Sequence, residues 1–214
     1  MNNRIVIADN HPIVRLSLRK ILNDHGHKVV GEANTAKDAL DLCASLRPGL
    51  LLLDVAQPEL EGLHVIRQLN LQRIPTKIMV FTSLVSNTIT ERCMSEGAHG
   101  LVYKHEEPSR LIDSLRIIAT GYNYFPNIGP ATAGLEHDTR KDEKLLSSLS
   151  LRELCILQRL SCGQTQKSIA ESMRLSQKTV STYKARLSLK LNANTTVELY
   201  EIARRNGLSL TLST

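Results

Sequence analysis

Aromatic residues are scarce in this chain of 214 residues: Phe, Trp and Tyr together make up 3% of it, and Trp is absent. A pocket lined by aromatic rings is therefore not expected. No apolar run approaches the roughly 20 residues that a membrane-spanning helix needs. The N-terminus reads as a β-strand and lacks the apolar core of a signal peptide. We therefore expect a soluble protein of the cytoplasm with no membrane partner.

Cysteine and histidine spacings that are typical of redox or zinc motifs are also missing. The four cysteines form no C-x-x-C pair, and no two histidines have H-x-x-x-H spacing. We expect reduced, structural thiols, in keeping with a reducing compartment.

Excess positive charge is confined to one end of the chain. Residues 1–145 contain 17 Lys/Arg and 17 Asp/Glu, whereas residues 146–214 contain 10 and 4, which accounts for the whole net charge of +6. A small basic module beside a neutral one favours a polyanion as the partner of the basic module. Charge alone leaves a merely solvated basic surface as an equal alternative.

The hydrophobic pattern divides the chain into three parts. Residues 1–121 alternate short apolar runs with amphipathic segments, which predicts an α/β domain with a five-stranded, doubly wound parallel sheet. Residues 122–145 are rich in Gly, Pro and mixed charge and are interpreted as a linker whose aromatic start packs against the first domain. Residues 146–214 show only helical periods and predict a smaller all-α domain. The predicted strands are Arg4–Ala8, Lys28–Ala33, Leu50–Leu53, Lys77–Phe81 and Gly100–Tyr103.

Four apolar runs end at a polar residue that can handle a phosphoryl group. They are IVIAD ending at Asp9, LLLLD ending at Asp54, IMVFT ending at Thr82 and LVYK ending at Lys104. The carboxyl ends of parallel strands share one edge of the sheet, where ligands bind. We therefore expect two acids, a hydroxyl and an ammonium to converge there. Each residue taken singly could be structural or solvated, but their joint placement favours a site.

The chemistry of this set indicates a phosphoryl acceptor. Asp54 ends the most apolar strand and is the predicted nucleophile. Asp9 and Asn10 can supply oxygen ligands to Mg²⁺, which an approaching phosphate requires for charge compensation. Thr82 can donate to a phosphoryl oxygen and Lys104 can pair with it.

The basic module predicts a helix-turn-helix. Ser150 and Glu153 have capping-box spacing before an apolar helix, and further helices are predicted over Gln166–Met173, Gln177–Leu191 and Thr196–Asn206. Two helices joined by a tight turn in a basic module are typical of this motif. A protein-binding helical bundle is the alternative.

The helix Gln177–Leu191 has two different faces. The inward face is predicted to contain Val180, Tyr183, Leu187 and Leu191. The opposite face is small and polar enough to approach base edges in a major groove, and basic side chains beside it can reach phosphates. The base-reading face contains Lys178, Ser181, Thr182 and Ala185. The basic side chains beside it are Lys184, Arg186 and Lys190.

Residues 4–120 resemble the receiver domain of bacterial two-component response regulators in IVIADNHP, LLLLDVAQPELEG, IMVFTS and GLVYK. The segment from LSLRELC to LKLN resembles a LuxR-type helix-turn-helix over its full length. The whole chain resembles the NarL/FixJ class, nearest its BvgA/EvgA branch, in which TVSTYK and GYNYFP-like segments recur. The resemblance implies a flavodoxin-like receiver fold.

The resemblance also implies roles for individual residues. Asp54 would accept phosphate from a sensor histidine kinase, Thr82 and Lys104 would sense it, and Ala56 would add its carbonyl to the Mg²⁺ ligands. The protein would be a stoichiometric phosphoacceptor and not an enzyme. Residues Lys167–Met173 would form the supporting helix and Gln177–Leu191 the recognition helix. The implied DNA-binding residues are Lys167, Gln177, Lys178, Thr179, Ser181, Thr182, Lys184, Ala185, Arg186 and Lys190.

The implied partners are double-stranded DNA, the kinase, a second copy of the chain and RNA polymerase. The last helix, with Val197, Leu199, Tyr200 and Ala203, would help to form the dimer. Two copies would then read half-sites about one helical turn, or ~10 bp, apart.

Two departures from the receiver pattern bear on function. Asn10 stands where a second acid is usual, so we expect weak Mg²⁺ binding and slow phosphotransfer, or a receiver that works partly without phosphate. Leu101 stands where an aromatic switch residue is usual. Both features support the alternative of a phosphate-independent pseudo-receiver adaptor. A second alternative is an aspartate-based phosphohydrolase. This class has a D-x-D motif, which the sequence lacks at both Asp9 and Asp54.

Overall fold

The N-terminal part of the chain is an α/β domain with a parallel sheet, as predicted. The computed structural model describes residues 3–56, 61–126, 142 and 144–208. Its five strands have the order β2-β1-β3-β4-β5. They are β1 Arg4–Ala8, β2 Lys28–Ala33, β3 Leu50–Leu53, β4 Lys77–Thr82 and β5 Gly100–Tyr103, and the helices between and after them are α1 Pro12–Asp24, α2 Ala36–Leu46, α3 Gly62–Leu71, α4 Asn87–Ser95 and α5 Pro108–Ala119.

The strands are apolar because helices cover both faces of the sheet. One face packs against α1 and α5, where Leu18, Leu22 and Leu115 join strand residues in a common core. Alternate strand residues, such as Val6 and Leu51, are also fully buried. Polar strand residues would have no water to bond on either face, which is why the sequence keeps them for the strand ends.

Local signals in the sequence set where several elements begin. The Thr35 hydroxyl accepts from the Asp38 amide at 3.1 Å and caps α2, and Pro108 occupies the first turn of α5. Both were predicted. Thr82 belongs to β4 and forms its last residue, one residue beyond the predicted end.

The sheet continues beyond β5 through a short contact with Tyr124. Gly100 and Tyr124 form an isolated parallel bridge, and the Tyr124 carbonyl accepts from the Leu101 amide at 2.8 Å. A Cβ on Gly100 would lie 2.8 Å from that carbonyl, so the approach requires glycine. The expected packing of the linker's aromatic start is confirmed for Tyr124, but Tyr122 is 73% exposed.

Two compact units are distinguished, one within residues 1–83 and 90–127 and the other within residues 84–89 and 128–214. Most of the predicted linker, residues 127–141, lies outside the described residues. The domain boundaries at 121 and 146 stay predictions. Within the described residues, no helix has the length and apolarity needed to cross a membrane.

The C-terminal module is helical, as predicted. Its helices include α6 Leu151–Ser161, α7 Gln166–Ser172, α8 Gln177–Lys190 and α9 Thr196–Arg205. The Ser150 and Glu153 capping box is present at the start of α6. Arg174, in the turn between α7 and α8, adopts a left-handed φ of 50°, and the Ser176 hydroxyl caps α8 by accepting from the Thr179 amide at 3.0 Å.

The four cysteines are free thiols, as expected, and three of them are buried. Cys43, Cys93 and Cys155 are buried, whereas Cys162 is exposed at the C-cap of α6. Burial raises the pKa of the Cys43 thiol to about 12.

Candidate phosphoacceptor site and DNA-binding helix

Asp9 and Asp54 lie side by side at the carboxyl edge of the sheet. They follow β1 and β3, which are hydrogen-bonded neighbours. Since β2 lies on one side of β1 and β3 on the other, this is the point where the strand order reverses and where open α/β sheets bind ligands. Each residue is 1% exposed. Two carboxylates in this position are unfavourable unless cations compensate them.

Lys104 connects the two carboxylates. Its Nζ donates to Asp9 Oδ2 and to Asp54 Oδ2, both at 2.6 Å. Burial lowers the pKa of this ammonium, but the charges of Asp54 and Asp9 outweigh burial and raise the pKa above its ordinary value. Lys104 Nζ also lies 5.9 Å from the centroid of the Phe81 ring. The lysine is therefore charged and held between the acids, as the sequence predicts.

Backbone bonds bring Thr82 and Ala56 to the same edge. The Lys104 amide donates to the Thr82 carbonyl at 2.9 Å, and Thr82 is fully buried. The Ala56 amide donates to Asp54 Oδ1 at 2.9 Å, which fixes the carboxylate orientation. All four predicted strand-end residues thus converge, together with Ala56.

The loop after β3 is held against the start of α3 by a close contact. A Cβ on Gly62 would lie 2.6 Å from the Val55 Cα, which real Cβ atoms do not reach. Glycine at this position therefore lets α3 begin directly against the residue that follows Asp54. Residues 57–60, between them, lie outside the described part of the chain.

Arg15 and His11 also contact this cluster, and the sequence-based prediction did not include them. Arg15 donates to the Asp9 carbonyl at 2.7 Å and to Glu32 at 3.0 Å. His11 donates its amide to Asp9 Oδ1 at 2.8 Å, and its Nδ1 lies 3.1 Å from the same oxygen. The signal available in the sequence was their place shortly after Asp9. His11 comes just before α1, and Arg15 lies in its first turn.

The two departures from the receiver pattern lie in different surroundings. Asn10 is half-buried beside Asp9. Leu101 is fully buried in β5. Two residues later on the same strand, Tyr103 supplies an aromatic ring, and its hydroxyl lies 3.3 Å from the Thr90 hydroxyl on α4. An aromatic residue therefore contacts α4 from β5, although it is not at the position of Leu101.

The donors in this cluster fit a divalent cation. One ammonium shared by two carboxylates leaves net negative charge in this group of three side chains, which favours a further cation. Oxygen atoms of Asp9 and Asp54 and a ring nitrogen of His11 lie within 4.8 Å of one another. Carboxylates with a backbone carbonyl are suitable ligands for Mg²⁺.

The predicted base-reading face of α8 is solvent-exposed. Lys178, Ser181, Thr182 and Ala185 are all exposed, while Val180 and Leu187 are fully buried. Tyr183, predicted to face inward, is half-buried. Of the other predicted DNA-binding residues, Lys167, Gln177, Arg186 and Lys190 are exposed, and Thr179 and Lys184 are half-buried.

Several predicted DNA-binding residues have partners inside the module, and the Thr182 hydroxyl, for example, donates to the Lys178 carbonyl at 3.0 Å. The Thr179 hydroxyl lies 2.7 Å from the Ser176 hydroxyl in the α8 cap. Lys190 Nζ donates to Glu153 at 2.8 Å, and the Glu153 side chain is 5% exposed. Burial raises the pKa of this carboxyl, but bonds from Lys190 and Ser150 outweigh burial and lower the pKa. Lys190 thus connects the end of α8 to the start of α6.

This fold, edge cluster and helical module define a response regulator: the chain belongs to that family. The response regulator receiver domain matches residues 5–116, and the LuxR family of bacterial regulatory proteins matches residues 147–203. A five-stranded receiver followed by a helix-turn-helix is the organisation of a DNA-binding transcriptional response regulator, so the predicted class is confirmed.

Individual relatives extend over nearly the whole chain. The putative positive transcription regulator of virulence factors BvgA, from Bordetella pertussis, is 39% identical over 98% of this chain and 100% of its own. Response regulator UvrY from Escherichia coli K12 is 34% identical over 95% of this chain and 94% of its own. Among solved structures, the Salmonella typhimurium response regulator RcsB matches with a TM-score of 0.61 at 25% identity, over 96% of this chain and 100% of its own.

Proposed function

We propose that Asp54 is the phosphoacceptor of this response regulator and that its phosphorylation controls DNA binding by α8. The observation that carries the proposal is the Lys104 ammonium, which is bonded to Asp9 and Asp54 at once. The proposal is supported by this one hydrogen-bonded group, which contains a carboxylate able to act as nucleophile, a second acid and an ammonium.

The side chains account for each part of the transfer. An oxygen of Asp54 attacks phosphorus, and the bond from phosphorus to the donor nitrogen of a kinase histidine breaks. Lys104 can then exchange a carboxylate for a phosphoryl oxygen, because its ammonium has several donors and a flexible stem. Asp9, Asp54 and the Ala56 carbonyl would hold Mg²⁺, with Asn10 nearby, and the cation would neutralise phosphoryl oxygens.

The DNA-binding part of the proposal is supported by the exposed face of α8. Small polar residues such as Ser181 and Ala185 leave room for base edges, and Lys178, Lys184 and Arg186 can reach phosphates. Binding as a dimer would place two such helices on successive half-sites. Val197, 65% exposed on α9, can take part in the contact between copies.

Intact-mass measurement after incubation with acetyl phosphate and Mg²⁺ tests the acceptor. The full-length chain should gain one phosphoryl group, whereas the Asp54→Ala variant should gain none.

Asn10→Asp should be phosphorylated faster than the natural chain, because a second carboxylate strengthens the metal site. Equal rates for these two proteins would contradict the role assigned to Asn10.

A phosphate-independent adaptor is the second candidate, and Asn10 and Leu101 are the residues that favour it. DNA selected from a random pool, with and without beryllofluoride at fixed salt, provides the binding site for the comparison. If phosphorylation controls binding, beryllofluoride should change the affinity of the natural chain and leave that of Asp54→Ala unchanged. Equal affinities under all four conditions would favour the adaptor.

A further inference from the structure

We propose that His11 is a ligand of the divalent cation at the Asp9 and Asp54 site, and that it shifts the metal preference of this site from Mg²⁺ towards Co²⁺ and Zn²⁺. This inference rests on the proposed function, because it concerns the same cluster. It adds a nitrogen donor that neither the strand-end pattern nor the oxygen ligand set contains.

The position of the ring is the first support. His11 Nδ1 lies 3.1 Å from Asp9 Oδ1. Two donors bound at about 2.1 Å to one cation, at right angles, lie about 3.0 Å apart. The described separation is therefore suitable for a cation that both atoms share, and the ring nitrogen is also within 4.8 Å of an Asp54 oxygen.

The backbone holds this residue close to the cluster. The His11 amide donates to Asp9 Oδ1 at 2.8 Å, and the Arg15 guanidinium, bonded to Glu32, donates to the Asp9 carbonyl at 2.7 Å. The loop between β1 and α1 is thus fixed at both ends. The imidazole is 52% exposed, so it can turn towards a cation without disturbing a packed core.

Asn10 explains why a nitrogen ligand matters here. An amide in place of a carboxylate removes one negative charge, and Mg²⁺ depends on carboxylate oxygens. Imidazole is a weak ligand for Mg²⁺ but a good one for later divalent metals. Replacing acid with amide while keeping a histidine nearby therefore weakens Mg²⁺ binding more than Co²⁺ or Zn²⁺ binding.

Metal titration of the full-length chain at pH 8 tests the assignment, with Co²⁺ and Mg²⁺ as probes and calorimetry and Co²⁺ visible absorption as readouts. His11→Ala should weaken Co²⁺ binding at least tenfold, change the Co²⁺ spectrum and alter Mg²⁺ binding less than twofold. His64→Ala, at an exposed histidine of α3, should bind both metals like the natural chain.

The outcomes separate this inference from the proposed function. If Asp54→Ala abolishes Co²⁺ binding while His11→Ala leaves its affinity and spectrum unchanged, the site exists but His11 is not a ligand, and the inference is wrong. If Asp54→Ala also leaves binding unchanged, no metal binds at the cluster, and the metal-assisted acceptor proposed above fails as well. Asn10→Asp should tighten Mg²⁺ binding in both the natural and the His11→Ala background.

Discussion

Lys104 shows how the charge of one residue can stabilise two buried carboxylates. The Lys104 side chain is 15% exposed, and its ammonium contacts two carboxylates whose side chains are at most 2% exposed. Removing one partner of a buried ion pair leaves charge without compensation, which typically costs about 3–5 kcal/mol. Under the proposed function, the same ammonium moves when a phosphoryl group arrives.

We expect Lys104→Met to lower the free energy of unfolding by roughly 3 kcal/mol in the presence of a chelator. Mg²⁺ should restore more stability to this variant than to the natural chain, because a cation can then compensate Asp9 and Asp54. Urea unfolding with and without Mg²⁺ measures both effects. Lys20→Met, at a 78% exposed side chain on α1, serves as the control. A variant with natural stability in the chelator would contradict the compensating role of Lys104.

The sequence predicted Asp9, Asp54 and Lys104 because a residue at a strand end has its position fixed by the strand. His11 and Arg15 follow the strand end, where the loop and first turn of α1 determine side-chain direction. The periodicity of the chain contains no information about that direction. For the same reason, the pairing of Lys190 with Glu153 could not be predicted from its place on α8.

At the scale of elements, His99 joins β4 to the start of β5. Its Nδ1 accepts from the Ile78 amide at 3.2 Å, which requires an unprotonated nitrogen. Burial lowers the pKa of His99 below 6.5, and the charge of Lys77 lowers it further. The folded protein therefore binds a proton at His99 less well than the unfolded chain does. The contribution of His99 to the free energy of unfolding is full above pH 6.5 and is lost as the pH falls towards the lowered pKa.

We expect the free energy of unfolding to decrease below pH 6.5, and less steeply in His99→Asn. The amide oxygen of asparagine can take the place of Nδ1 as acceptor but does not titrate. The comparison is needed because His27 also has a lowered pKa and contributes in the same direction. Urea unfolding from pH 5 to 8 provides the measurement. Identical slopes for the two proteins would show that His99 does not contribute.

The contact between β5 and α4 gives another prediction. Tyr103→Phe removes the hydroxyl 3.3 Å from Thr90 and should cost about 1 kcal/mol in unfolding free energy, because both residues are buried. Tyr122→Phe, at a tyrosine 73% exposed, should cost nothing measurable. If the contact also transmits the state of Lys104, Tyr103→Phe should reduce the effect of beryllofluoride on DNA affinity. Natural stability in Tyr103→Phe would exclude the bond.

Element bounds were predicted closely because their signals are local. Alternation of apolar runs defines the strands, and Thr35, Ser150 and Gly163 set helix ends through capping or a left-handed φ. The bridge between Gly100 and Tyr124 is different, since it pairs residues through tertiary packing. The aromatic residues at the start of the linker predicted only that this segment packs against the first domain.

At the scale of the whole molecule, excess charge and phosphoryl chemistry belong to different parts of the chain. Residues 1–145 are neutral overall and hold the buried acids at one sheet edge, while residues 146–214 contain the whole net charge of +6. A polyanion is therefore attracted to the module that has the exposed face of α8. Electrostatic attraction of this kind weakens with salt, because each phosphate contact releases counterions.

Lys178 and Lys190 should contribute differently to that salt dependence. Lys178 is exposed near the start of α8, whereas the Lys190 ammonium is bonded to Glu153 at 2.8 Å. We expect Lys178→Ala to weaken DNA binding on all sequences and to reduce the slope of log affinity against log salt by about 1 per contact. Lys190→Ala should leave the slope unchanged and instead lower the stability of the module.

Fluorescence anisotropy with specific and random duplexes at several salt concentrations distinguishes these effects. Lys20→Ala, on α1 of the receiver, controls for the loss of one positive charge. A reduced slope for Lys190→Ala would mean that this lysine leaves Glu153 to bind phosphate. In that case DNA binding and the packing of α8 on α6 would compete for the same ammonium, and the Glu153→Gln variant should bind DNA more tightly than the natural chain.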